Sequence, residues 1–383
     1  MKILFISNYF NHHQIEISNA LCNVENTDYT FLETTKMKIE REKMGYSINN
    51  FPSYVNQNIG NNAISFAEKY IYNSDIIIFG GASDDYLKLC NKSGKLMFIY
   101  TERIYKNGCQ LYKLPLRIYK FWKKYSMYKN KYLLCASAYT YADYAKSLSF
   151  VNKAYKWGYF PKTMKYEIDE LLSKKDKKRI LWCGRFLDWK HPDDVIKLAK
   201  NLKLEGYNFE INIIGLGDLE NSLKELVDKF DLKKEVEFLG ALKPEEVRKH
   251  MERAGIYLFT SDFHEGWGAV LNESMNSGCA VVASHAIGSV PYLINHEENG
   301  LIYKYGNFHD LYKKVKWLLN KPDEQERLGR NAYYTIANLW NAEIAVERFL
   351  KLTKEIKDHG YCDLYDEGPC SRANILSNDW FKG

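Results

Sequence analysis

What most constrains this chain is a rhythm of short apolar runs. Ile3–Ile6, Ile76–Phe79, Leu96–Tyr100 and Leu133–Ala136 are apolar throughout, without polar alternation. A strand with one wet face alternates; a strand covered on both faces does not, and such strands belong to parallel sheets. Each run precedes a polar or Gly-containing turn and an amphipathic segment, so strand–helix–strand units are predicted. A second series begins at Ile180–Cys183. It continues through Ile211–Ile214, Val236–Leu239, Ile256–Phe259, Ala280–Ala283 and Leu301–Tyr303, with helices over 192–204, 218–229 and 244–253.

The expected architecture is therefore α/β, with two Rossmann-like parallel-sheet domains, 1–160 and 178–340; 383 residues suffice for both. Residues 161–177, with the charged run Lys174–Lys178, are predicted as an exposed linker. Helices are expected over 307–319, 322–337 and 341–357, the last crossing back to the first domain. Residues 358–383 lack periodicity and are expected to form a loose tail or a lid. Ligands of such sheets bind at the carboxyl ends of the strands.

The net charge of +6 is too small for a dedicated nucleic-acid binder and suits an anionic small ligand or membrane surface. Eight cysteines without C-x-x-C spacing indicate reduced thiols rather than zinc or a disulfide framework. The first apolar run is too short for a leader peptide, and no stretch approaches the roughly 18 apolar residues of a membrane span. A cytoplasmic protein, with at most peripheral membrane contact, is expected.

Three loops carry chemistry. After Ile256–Phe259 comes Glu265-Gly266-Trp267-Gly268-Ala269-Val270, with Glu273 eight residues beyond Glu265. The glycines admit a ligand close to the backbone where a helix begins, a place suited to phosphate. Two carboxylates beside an anion site make sense as acceptors of sugar hydroxyl protons. After Ile180–Cys183 comes Gly184-Arg185-Phe186-Leu187-Asp188-Trp189-Lys190, in which Arg185 offers a forked donor and Lys190 a point charge to a diphosphate. After Ile211–Ile214 comes Gly215-Leu216-Gly217, a weaker signal of the same kind.

In this order and spacing, the three motifs resemble the GT-B glycosyltransferases of family 4, over about 178–340. Val236–Gly240 and Asn299–Ile302 extend the resemblance, and Glu265 and Glu273 match the family's E-x7-E pattern. The resemblance implies two domains facing a cleft and a retaining, metal-independent transfer from a nucleotide-diphosphate sugar, with no other cofactor. It implies that Glu265 contacts the transferred sugar, Glu273 the ribose, and Arg185 and Lys190 the diphosphate. The absence of D-x-D spacing agrees with metal independence. Surface-polysaccharide synthesis is the implied setting, with a glycan or polyprenyl-diphosphate-linked acceptor. An epimerase, a phosphorylase or a non-catalytic assembly protein on the same fold are the alternatives.

The first half is less like the family. The first loop, Ser7–Gln14, lacks the glycines many members have there; His12 or His13, at a helix start, is a candidate to meet the phosphate or the acceptor, with a surface pair as the alternative, and Glu102, with Arg103 beside it, is a candidate to activate the acceptor hydroxyl. Tyr292 replaces an acid usual in the family. Over 113–131, Lys113, Arg117, Lys120, Lys124 and Lys131 form a basic stripe beside Leu114, Ile118, Phe121, Tyr125 and Tyr128. This pattern suits docking on an anionic membrane or, more plainly, packing on the protein's own sheet.

Overall fold

A computed structural model describes residues 1–37, 50–60 and 62–383. The chain divides into two compact units, Met1–Pro161 with Ala342–Ser377, and Lys162–Asn341 with Asn378–Gly383.

The first unit is built on seven parallel strands: β1 (Lys2–Ser7), β2 (Asp28–Glu33), β3 (Val55–Gln57), β4 (Ile76–Phe79), β5 (Leu96–Thr101), β6 (Lys131–Cys135) and β7 (Ala154–Lys156). Their order across the sheet is β3-β2-β1-β4-β5-β6-β7. The predicted runs are its buried centre; Ile3 pairs with Ile76 and Phe5 with Ile78. β2, β3 and β7 are additions to the expected set. Asp28 and Glu33 break the apolar run of β2, and β3 and β7 are three-residue strands. Helix Ala342–His359 belongs to this unit, against helix His12–Cys22. Its Phe349 ring is fully buried, 4.9 Å from Phe98 and 5.7 Å from Trp157.

The second unit holds β8 (Asp176–Cys183), β9 (Glu210–Ile214), β10 (Val236–Gly240), β11 (Ala254–Phe259), β12 (Ala280–Ser284) and β13 (Leu301–Tyr303), all parallel in the order β10-β9-β8-β11-β12-β13. The helices Pro192–Leu204 and Pro244–Arg253 have the predicted limits, each opening on a proline at its first position.

Three expectations are corrected. The Lys174–Lys178 run is no exposed linker: residues Ile168–Ser173 are helical, β8 begins at Asp176, and Lys175 is buried. The Lys175 ammonium donates to the carbonyls of Met251 (2.7 Å) and Ala254 (3.0 Å), and burial lowers its pKa. The basic stripe over 113–131 does not run its full length either. The helix is Leu114–Phe121, continued by a π turn at Trp122–Ser126, and Lys131 lies buried in β6. Finally, the tail is packed rather than loose. Lys156 donates its backbone N–H to Ser371 (2.8 Å) and accepts that of Cys370 (2.8 Å), which covers the free edge of β7. Cys362, Cys370 and Ser371 are buried there. Further on, Trp380 Nε1 donates to the His285 carbonyl (3.3 Å) in the second unit.

Candidate active site

In the second unit the three motif loops follow β8, β9 and β11, which are neighbours in the sheet. Motifs far apart in sequence are therefore brought to one carboxyl edge. Two glycines are required by this crowding. A Cβ on Gly215, whose φ is +140°, would lie 1.9 Å from the Gly184 carbonyl oxygen; on Gly268, at φ +83°, it would lie 2.3 Å from the Phe259 ring. Neither position tolerates a side chain without moving backbone or a packed ring.

The loop after β8 is pinned from below. Trp182 Nε1 donates to Thr260 Oγ1 (2.9 Å), and Thr260 donates to the Lys190 carbonyl (2.6 Å). The Lys190 ammonium lies 2.5 Å from Glu265 Oε2, each side chain 12% exposed, and Ser261 Oγ donates to the same oxygen (3.0 Å). His191, the next residue, holds φ +48°, a left-handed conformation uncommon for a side-chain-bearing residue. Arg185 is exposed and forms no ion pair among the described residues. One cation is thus already matched by a carboxylate, and one is open to an anion.

Glu273 is the fourth residue of the helix Val270–Asn276. Burial raises its pKa; Arg248, 4.0 Å away, acts in the opposite direction. Arg248 also donates to the Glu273 carbonyl (3.0 Å) and to Asn276 Oδ1 (3.1 Å), fixing that helix. Trp267 differs from expectation: its indole is fully buried against Tyr292 and Trp340 and donates to Asn272 Oδ1 (2.9 Å). The whole residue is buried, as is Gly266, whereas Gly268, Ala269 and Val270 are partly exposed. Tyr292 stacks on Trp340 at 14°, so its ring is a packing element.

In the first unit, His12 and His13 follow β1 and Glu102 follows β5. Tyr159 brings them together. The rings of His12 and His13 are 3.8 Å apart, His13 stacks on Tyr159 at 4.8 Å, and Tyr159 Oη donates to Glu102 Oε1 (2.6 Å). Lys106 pairs with the other Glu102 oxygen at 2.9 Å. Arg103 is turned inward instead, buried 3.5 Å from Asp143 and over the Tyr139 ring. Tyr159 was missed as a site residue because it stands at the break in the strand–helix rhythm, where no spacing ties it to Glu102. Ser261 and Arg248 were missed because each acts through a glutamate of the motif rather than as part of it. Among the described residues no group of three His, Cys, Asp or Glu is placed to hold a metal.

Two parallel-sheet units with motif loops on one carboxyl edge define the GT-B class of fold. A protein of Anabaena, HepE, solved in complex with UDP, has this architecture with a TM-score of 0.68 over 92% of this chain and 100% of that one, at 13% identity. Residues 164–335 match the family described as glycosyl transferases group 1. An uncharacterized glycosyltransferase of Haemophilus influenzae is 29% identical over 152 residues, 40% of this chain and 42% of its own. A Campylobacter jejuni protein is 31% identical over 183 residues, 47% of this chain and 48% of its own. It is named as an alpha-1,4-N-acetyl-D-galactosaminyltransferase acting on GalNAc-alpha-(1->4)-GalNAc-alpha-(1->3)-diNAcBac-PP-undecaprenol. The matched part spans less than half of each of these two relatives. Among the described residues no helix is long and apolar enough to cross a membrane.

Proposed function

We propose that this protein is a retaining glycosyltransferase that moves a sugar from a nucleotide diphosphate to a hydroxyl of a glycan or lipid-linked acceptor, on a surface-polysaccharide pathway at the inner face of the membrane. The observation that carries this reading is the pairing of Lys190 with Glu265 beside an open Arg185. A leaving diphosphate needs cations; a sugar ring needs a carboxylate to accept its hydroxyl protons. Here both stand on adjacent loops, Lys190 paired with Glu265.

In this reading Arg185 and Lys190 meet the diphosphate, and Glu265, relieved of Lys190, turns to the transferred sugar. Glu273 accepts from the ribose. The bond from the anomeric carbon to the diphosphate oxygen breaks, and the acceptor oxygen bonds to the same face of that carbon. Glu102, held in place by Tyr159 and Lys106, receives the acceptor's proton. The diphosphate charge is met by protein cations and needs no divalent metal. The lipid-linked acceptor in the name of the C. jejuni relative supports the lipid-linked alternative.

The test is a panel of nucleotide sugars in a thermal-shift screen, followed by turnover with and without acceptor. A donor that binds only the folded form raises the melting temperature. Binding without transfer to any glycan or lipid-linked acceptor would favour an assembly protein, and interconversion of the donor sugar an epimerase.

A further inference from the structure

We infer that Asn378, Trp380 and Phe381 are positioning residues of the candidate site: acting through His285 and Phe263, they brace the turn that carries Glu265. The effect on turnover rests on the glycosyltransferase reading; the brace itself does not.

The chain rejoins the second unit at Asn378. There it meets His285, the first residue after β12, which is 3% exposed. His285 Nδ1 accepts the backbone N–H of Tyr305 (3.0 Å), just beyond β13. A nitrogen that accepts carries no proton, so the ring proton sits on Nε2, which donates to the Asn378 carbonyl (3.1 Å). Burial lowers the His285 pKa and favours the same neutral ring. Trp380 Nε1 donates to the His285 backbone carbonyl (3.3 Å), so Asn378 holds the side chain and Trp380 the main chain of one residue. Phe381 stands edge-on to the His296 ring at 5.1 Å and lies 5.6 Å from the Trp380 ring. His296 in turn accepts the backbone N–H of Ile302 in β13 (3.0 Å).

Phe263 also packs on His285. Its ring is edge-on to His285 at 5.6 Å and to Tyr305 at 6.1 Å. Phe263 lies inside a tight turn in which the Glu265 N–H donates to the Asp262 carbonyl (3.1 Å). The Asp262 carboxylate accepts the His264 backbone N–H (2.8 Å) and meets the His264 ring at Nδ1 (2.8 Å). Its other oxygen faces His191 Nε2 at 3.5 Å, and the Asp262 N–H donates to the Trp189 carbonyl (2.9 Å). The turn is thus tied to both neighbours of Lys190. A second route runs along the backbone, for the Glu265 carbonyl accepts the N–H of Gly288, three residues after His285 (3.2 Å). Through ring and backbone alike, what holds His285 also holds Glu265. A carboxylate that must meet one sugar ring loses effect when its turn shifts by a fraction of an ångström. Arg185 and Glu273 stand outside this turn, on the loop after β8 and the helix Val270–Asn276. The brace therefore bears on the sugar and not on the nucleoside diphosphate.

The experiment compares the full chain with its Trp380→Ala/Phe381→Ala variant and with Trp380→Phe, which keeps a ring and gives up the N–H. Amide hydrogen exchange read by mass spectrometry needs no substrate. The amides of Asp262, His264, Glu265 and Gly288 are all hydrogen-bonded, so loosening of the turn is visible in their exchange. In the Ala/Ala variant exchange should quicken over 261–266 and 285–289 and stay as in the native protein over 180–184 and 270–276, with Trp380→Phe in between. Turnover of a nucleotide sugar should fall about tenfold in kcat, while calorimetric affinity for the free nucleoside diphosphate is unchanged. Combined with Glu265→Gln, the Ala/Ala change should lower kcat little further, because both act through one carboxylate. Native exchange over 261–266 in the Ala/Ala variant overturns the brace. Faster exchange across the whole unit, with kcat and nucleoside diphosphate affinity lost together, overturns the positioning role in favour of general stability, and so does a full additive loss on top of Glu265→Gln. If the native protein turns over no nucleotide sugar, the transferase reading falls, and faster exchange confined to the two segments still upholds the brace.

Discussion

The Lys190 ammonium and the Glu265 carboxylate meet at 2.5 Å, with Ser261 donating to the same carboxylate oxygen. Each is the other's counter-ion, so a bound diphosphate must compete with Glu265 for Lys190. Lys190→Ala is expected to cost roughly 3 kcal/mol in kcat/KM, the scale of one preorganised electrostatic donor. It also leaves Glu265 partly buried without its cation, so the melting temperature should fall as well. Steady-state kinetics on the folded variant checks this; near-native kcat/KM would place the diphosphate elsewhere.

Glu265 and Glu273 should separate in function. Glu265→Gln keeps the shape and removes the charge; kcat should fall strongly, while affinity for the free nucleoside diphosphate stays nearly intact. Only contacts that strengthen in the transition state change the chemical step. Glu273→Gln should weaken nucleoside diphosphate binding and lower kcat less at saturating donor. Burial raises the Glu273 pKa, so the native protein should approach Glu273→Gln in affinity as the solution is acidified. Calorimetric titration beside turnover on both variants decides the matter, and indistinguishable profiles would refute the division of roles.

Transfer should survive EDTA, since Arg185 and Lys190 carry the charge that a divalent ion would otherwise meet. Loss of turnover in EDTA with recovery in magnesium would rule this out.

Lys131 offers a pH test of stability apart from catalysis. It is 2% exposed, donates to the Lys124 carbonyl (2.5 Å) and lies 4.0 Å from the Tyr128 ring; burial lowers its pKa to about 7. The unfolded chain therefore binds the extra proton between about pH 7 and the ordinary lysine value near 10.4, and stability contributed by this residue rises with pH across that window. Lys131→Met removes the titration. Relative to Lys131→Met, the native protein should gain stability from pH 7 to 9, by up to about 1.4 kcal/mol per pH unit. Parallel denaturation curves across that range would show that Lys131 stays charged when folded.

The sheets were legible because their central strands are covered on both faces, leaving unbroken apolar runs such as Ile76–Phe79. Short edge strands carry no such mark; Val55–Gln57 and Ala154–Lys156 gain their order from neighbours. Gly215 and Gly268 were legible for a related reason, since a backbone approach that excludes a Cβ leaves glycine as the trace. Polar pairing left no trace of that kind. The Tyr159–Glu102 hydrogen bond spans 57 residues, and no periodicity links its ends. The Lys174–Lys178 run misled because charge density suggests solvent, whereas Lys175 finds two buried carbonyls once β8 and β11 are paired.

The return of residues 342–377 to the first unit has a consequence for synthesis of the chain on the ribosome. The second unit has all six strands once Tyr303 has emerged. The first unit, begun earlier, must wait for the helix Ala342–His359, roughly 200 residues beyond Pro161. At ordinary elongation rates that is a delay of about 10–40 s. Through that interval Phe98 and Trp157 have no Phe349 ring to close over them, and the edge of β7 has no Ser371 to pair with. The half translated first thus closes only after the second sheet has all its strands, and it is this half that a chaperone would meet as a nascent chain.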